Sequence, residues 1–168
     1  MNLDALSKVV SLENMANIVG SFREGNDRVV ALCHGCFDIL HTGHLRHFEA
    51  AKKKSDLLVV TITEDRFIKK GPNRPVFPAE QRAELLAGLR AVDYVAVNRW
   101  ANAIETIRLI RPSYFVKGQE YEPTTQKVNS QFFEEEKAIN SVGGKVLFTY
   151  EFTSSSTMAY KKLTSAVE

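Results

Sequence analysis

Cysteine, long apolar runs and net charge are scarce in this 168-residue chain, and each scarcity excludes something. The formal charge is only +2, from 22 basic and 20 acidic residues. So near a balance gives no bulk attraction toward nucleic acid or an anionic membrane, and neither is expected as a partner. Apolar runs stop at strand length, so no membrane-spanning helix is expected. The N-terminus lacks a basic stretch followed by an apolar core and a small-residue cleavage site, so no signal peptide is expected either. The two cysteines fall in Cys33-His34-Gly35-Cys36. That spacing fits a redox pair or half a zinc site. No second pair exists to complete a zinc site, and Phe37 stands where a c-type haem motif needs histidine. The simpler reading is a buried strand-end thiol and a small residue in a turn, in a reduced, cytoplasmic protein.

What is present is an ordinary globular composition, 44% hydrophobic and 25% charged, of single-domain length. Leu12, Met15, Ile18, Val19 and Phe22 give a helix from Ser11 to Gly25 one apolar face. Apolar runs at 28–33, 57–62, 94–97, 114–116 and 145–149 read as five strands. Helical spacing between them predicts helices at about 43–54, 79–89, 101–110 and 132–142. The proline-rich stretch Glu64–Pro78 reads as an exposed loop, and the polar segment 120–129 as a mobile one. Ser154-Ser155-Ser156-Thr157 opens a last short helix. Such alternation predicts an α/β, Rossmann-like, doubly wound five-stranded parallel sheet, with residues 1–27 as a helical extension and 28–160 as the core of one domain spanning 1–168. Ligands of such sheets bind beyond the carboxyl ends of the strands.

At one such end stands Gly35-Cys36-Phe37-Asp38-Ile39-Leu40-His41-Thr42-Gly43-His44. A helix starting near Thr42 offers free backbone N–H groups and the positive end of its dipole to an anion. His41 and His44, three apart, can face the same ligand there, and Gly43 lets it approach the backbone. Paired imidazoles at an anion site point to phosphate chemistry. The alternatives are that they only cap the turn, or that they bind zinc with His34 or His47 as the further ligand. His34 and His47 read as structural.

The same ten residues closely resemble the G-x-F-D-x-x-H-x-G-H signature of the cytidylyltransferase-like nucleotidyltransferases. Lys69-Lys70-Gly71-Pro72-Asn73-Arg74-Pro75-Val76 with Glu80-Gln81-Arg82, and Arg111-Pro112-Ser113-Tyr114-Phe115-Val116-Lys117-Gly118-Gln119-Glu120-Tyr121, resemble its sugar-phosphate adenylyltransferase branch, the heptose 1-phosphate type. Ser154–Thr157 resembles the closing serine/threonine motif, without the arginine or isoleucine of some branches. The resemblance implies that a sugar phosphate such as heptose 1-phosphate attacks the α-phosphorus of a nucleoside triphosphate, ATP favoured over CTP, and that magnesium pyrophosphate leaves. His41, His44, Lys53 (or Lys54) and Arg82 are then the expected catalytic or phosphate-neutralising side chains. Gly35, Cys36, Phe37, Asp38, Gly43, Lys117, Gly118, Ser155, Ser156 and Thr157 are the expected nucleotide-binding set, with Mg2+ accompanying the nucleotide and no resident metal. Each carries a plainer alternative: Asp38 as a turn carboxylate, Lys53 and Lys117 as solvated lysines, Arg82 as an exposed helix residue, the serines as an N-cap. A homodimer and a fused or separate sugar kinase are the implied partners. Runners-up are a CTP-dependent glycerol- or alditol-phosphate cytidylyltransferase, a coenzyme nucleotidyltransferase and a non-catalytic nucleotide-binding module. Class I aminoacyl-tRNA synthetases share a related H-x-G-H element, but this chain is too short and too neutral to carry their tRNA-binding parts.

Overall fold

Five strands, each short and apolar, form one parallel sheet: β1 (Val30–Gly35), β2 (Leu57–Thr63), β3 (Tyr94–Asn98), β4 (Tyr114–Gly118) and β5 (Lys145–Thr149). The computed structural model describes residues 3–122, 130–150 and 160. The strand order is β3-β2-β1-β4-β5, with every neighbouring pair parallel. This is the doubly wound order, and its direction of winding reverses between β1 and β4.

Alternation along β1 divides the core. Ala31 and Cys33 face one cluster, with Phe48 and Ala51 of α3 (Thr42–Lys52) and Ala83 and Leu86 of α4 (Ala79–Ala87). Val30 and Leu32 face the other, with Met15 and Val19 of α2 (Leu12–Arg23), Ile107 of α5 (Ile104–Ile110) and Ile139 of α6 (Ser130–Ser141). Both faces are dry, which is why the strands read as continuous apolar runs. Before α2 comes the single turn α1 (Leu3–Leu6), and the chain between them bridges the sheet edge: Val9 pairs with Val95 of β3.

Several boundaries differ from expectation for identifiable reasons. Helix α5 begins at Ile104 and not near Ala101, because the Asn98 amide donates to the carbonyls of Trp100 and Asn102 and holds that stretch as a turn. The buried Glu135 carboxylate then accepts from Ala103 N, the N-cap residue. The loop at 64–78 contains a 3-10 turn, Asp65–Phe67, and a second one, Gln119–Tyr121, follows β4. Residues 123–129 and the serine cluster at 154–157 lie outside the described residues.

Candidate active site

Beyond Gly35 the chain must turn sharply from β1 into α3, and Phe37 makes that turn with φ of +48°. A non-glycine residue in the left-handed region is a local strain that surrounding contacts must hold. Here the ring of Phe37 does so. It lies against Gly35, where a Cβ would come within 3.0 Å of it, and meets Phe48 at 5.1 Å and His44 edge-on at 5.3 Å between centroids. Gly35 is therefore required by close packing against that ring.

His41 is the N-cap residue of α3, but its side chain makes no capping hydrogen bond. Instead its ring stacks on that of His44, with centroids 3.7 Å apart and planes 22° from parallel. His44 Nδ1 is buried and has no hydrogen-bond partner among the described residues. Burial first, then the neighbouring His41, His47 and Lys70, pushes the His44 pKa down to about 3; burial also lowers that of His41. Both rings thus stay neutral when no anion is present, beside the positive end of a helix.

Two ion pairs, Arg74–Asp38 buried on both sides and Arg82–Asp65 buried on the arginine side, fasten the 64–78 loop to this turn. Asp38 accepts from Arg74 Nε at 2.5 Å and from the backbone N–H groups of Val76 and Phe77 at 2.7 and 3.1 Å. Arg82, fully buried, donates to the carbonyls of Phe77, Cys36 and Thr63 and to Asp65.

A family model, cytidylyltransferase-like, matches residues 32–160, which includes this turn, both histidines and the fastened loop. The chain belongs to the cytidylyltransferase-like family. It is 39% identical over 139 residues to the bifunctional protein HldE of Sulfurimonas denitrificans, and 38% identical over 141 residues to that of Campylobacter fetus. Each match covers 82% of this chain and 29% of the relative, so the chain spans under a third of the length of these relatives. A lipopolysaccharide core biosynthesis protein from Thermoplasma volcanium superposes with a TM-score of 0.61 at 26% identity, over 75% of this chain and 99% of that one. A pantoate-β-alanine ligase from Francisella tularensis shares the fold, with a TM-score of 0.62 at 13% identity over 91% of this chain and 72% of that one.

Within this nucleotidyltransferase fold the expected residues separate. His41, His44, Gly43 and the turn from Gly35 to Phe37 share one place, at the reversal between β1 and β4. Gly118 ends β4 across that crevice, and a Cβ there would overlap the Glu120 carboxylate. Four expectations need correction. Lys53 is exposed and caps the far end of α3; the helix's 11 residues put it roughly 16 Å from the histidines. Lys54, one residue further on, lies at that same far end. Arg82 is not a free phosphate fork, because its donors are already directed at three carbonyls and Asp65. Asp38 likewise is taken up by the loop, through Arg74, Val76 and Phe77. Lys117, expected to border the nucleotide, is engaged elsewhere: its ammonium is buried 2.9 Å from Glu135 Oε2, near the rings of Phe115 and Tyr121. The pair ties β4 to α6.

His34 and His47, read from the sequence as structural, lie close by. Each makes a ring hydrogen bond to a threonine, His34 to Thr61 at 3.0 Å and His47 to Thr149 at 2.7 Å. Burial, helped by Lys117, pushes both pKa values down to about 4. The cysteines are free thiols; burial raises the pKa of each, so neither is poised as a thiolate. One relevant residue was not singled out by sequence: Lys70, whose charge reaches both His44 and Cys36. Its signal was the cationic pair Lys69-Lys70 beside the Gly71-Pro72 turn.

Proposed function

We propose that the protein transfers a nucleotidyl group, adenylyl from ATP, to a sugar phosphate of the heptose 1-phosphate type, releasing pyrophosphate. The observation that carries this reading is the stacked His41–His44 pair at the first turn of α3, at the β1/β4 reversal of a cytidylyltransferase-like domain. The loop and β4 motifs, and the similarity to HldE, favour a sugar phosphate as acceptor.

In this reading an oxygen of the sugar phosphate attacks the α-phosphorus. One P–O bond forms there, the bond from the α-phosphorus to the α,β-bridging oxygen breaks, and pyrophosphate leaves with the electron pair. No covalent enzyme intermediate is needed, so positioning and charge stabilisation supply the catalysis. The first-turn amides of α3 hold the α-phosphate, and His41 and His44 donate to it as charge builds. Their depressed pKa values mean that only an incoming anion favours their protonated forms. Gly118 borders the nucleoside, and Ser155, Ser156 and Thr157 take the outer phosphates. Among the described residues no cluster of three metal-ligating side chains occurs, and Asp38 is occupied by the loop. That donor set fits magnesium entering as the nucleotide's counter-ion, held by phosphate oxygens and water. Because the HldE relatives are longer and bifunctional, a sugar kinase, fused or separate, is the proposed companion.

A pyrophosphate-release screen of ATP and CTP against heptose, glycerol and pentitol phosphates tests the assignment. ATP with a heptose 1-phosphate is expected to be the best pair. A preference for CTP with glycerol phosphate would move the protein to the cytidylyltransferase branch.

A further inference from the structure

The loop between β2 and α4 contains a buried arginine whose hydrogen bonding is incomplete. Arg74 is 9% exposed, and its side chain 1%. Nε is tied to Asp38, and the ring of Tyr160 covers the guanidinium, 4.8 Å from Cζ to the centroid. Nη2 is buried with no hydrogen-bond partner among the described residues. A charged donor left this way is costly, and a native protein that keeps one invites an explanation. No contact among the described residues supplies it.

The surroundings point to an anion. Burial raises the Cys36 thiol's pKa, but Lys70, Arg82 and Arg74 all act on it in the opposite sense, with Asp38 alone on the side of burial. Arg82 is paired with Asp65 and Arg74 with Asp38, while Lys70 makes no ion pair among the described residues. Three cations against two carboxylates leave the cluster beside Cys36 net positive. Its place in the fold is also distinct. The histidines stand on the turn from β1 into α3, at the β1/β4 reversal, whereas Arg74 and Lys70 come from the chain after β2, which pairs with the other side of β1.

We propose that Arg74, through Nη2 and with Lys70 beside it, anchors the phosphate monoester of the acceptor, and that Tyr160 covers this subsite when it is empty. The inference rests on the functional reading above. Asp38 fixes one edge of the guanidinium and so aims the other, which is how an arginine fork comes to grip a phosphate. The acceptor then enters from the β2 side while the nucleotide occupies the β4 side, so the two meet over the histidines.

The test compares Arg74→Lys and Lys70→Gln with the wild type in steady-state kinetics. Lysine keeps a charge against Asp38 but offers no second edge. Arg74→Lys is expected to raise the acceptor KM about tenfold or more while the ATP KM stays within about twofold. Lys70→Gln, at an exposed position that burdens folding little, is expected to raise the acceptor KM severalfold. An unchanged acceptor KM in both variants, or an equal rise for ATP, would overturn the proposal. Calorimetric titration with inorganic phosphate in the presence of saturating ATP separates this subsite from the overall function. Phosphate binding weakened about tenfold in Arg74→Lys upholds the subsite even if no sugar phosphate is turned over, an outcome that would instead reject the proposed activity. Equal phosphate binding in both proteins overturns the subsite.

Discussion

At the scale of single residues, the site is built from side chains that do different jobs within a few ångströms. His41 and His44 face the crevice; Phe37, Asp38 and Arg82 hold the frame around them. Removing a charge-stabilising donor typically costs 10²-fold or more in turnover. His41→Ala and His44→Ala are therefore each expected to lower kcat by at least ~10²-fold with little change in stability, and near wild-type turnover in both would remove their proposed role. Arg82→Met should behave in the opposite way. It strands three carbonyls and Asp65, so chemical denaturation should show a loss of about 2–4 kcal/mol. Arg82→Lys should not restore it, because one ammonium cannot reach four acceptors in a planar fork. A denaturation midpoint close to wild type in Arg82→Met would mean that the buried network is not what holds the loop.

At the scale of elements, the ends of β1, β4 and β5 and the start of α3 converge on buried, neutral histidines. The folded-state pKa values of His34 and His47 lie near 4 and that of His44 near 3, all below the ordinary 6.5. Between those limits the unfolded chain binds more protons, so stability is fully present above about pH 6.5 and falls as pH drops toward 4. Glu135 adds to the same trend at lower pH: burial alone would raise its pKa, but the Lys117 ammonium and its hydrogen bond hold it below the usual carboxylate value. Thermal melts are expected to show Tm declining steadily from pH 6.5 to 4, with a slope reduced in His34→Gln or His47→Gln. A flat Tm over that interval would contradict the buried neutral assignment.

The same scale explains what the sequence made legible. Strands were readable because both faces of the sheet are buried, and the helix at Thr42 because glycine and histidine interrupt an apolar pattern there. The start of α5 was not, since it depends on Asn98 and on Glu135 from 32 residues beyond Ala103. Arg82 and Lys53 were misplaced for a related reason. Sequence shows that a cation is present but not whether tertiary neighbours have already paired it, nor which end of the sheet it occupies. Asp38 was divided between turn and ligand, and only the arrival of Arg74, Val76 and Phe77 decides for the turn.

At the scale of the whole molecule, the doubly wound order puts the histidine turn and the end of β4 on either side of one crevice, and the loop after β2 closes it from the third side. That topology accommodates the single site proposed above, with a nucleotide side and an acceptor side. The central claim is attack at the α-phosphorus, and 31P nuclear magnetic resonance of the protein incubated with ATP and heptose 1-phosphate tests it directly. The expected result is the appearance of pyrophosphate together with the paired diphosphate resonances of a nucleotide sugar, in equal amounts, and neither product in the His41→Ala protein. Resonances of ADP and a second sugar phosphate, or of ADP and inorganic phosphate, would place the attack at the γ-phosphorus and contradict the account.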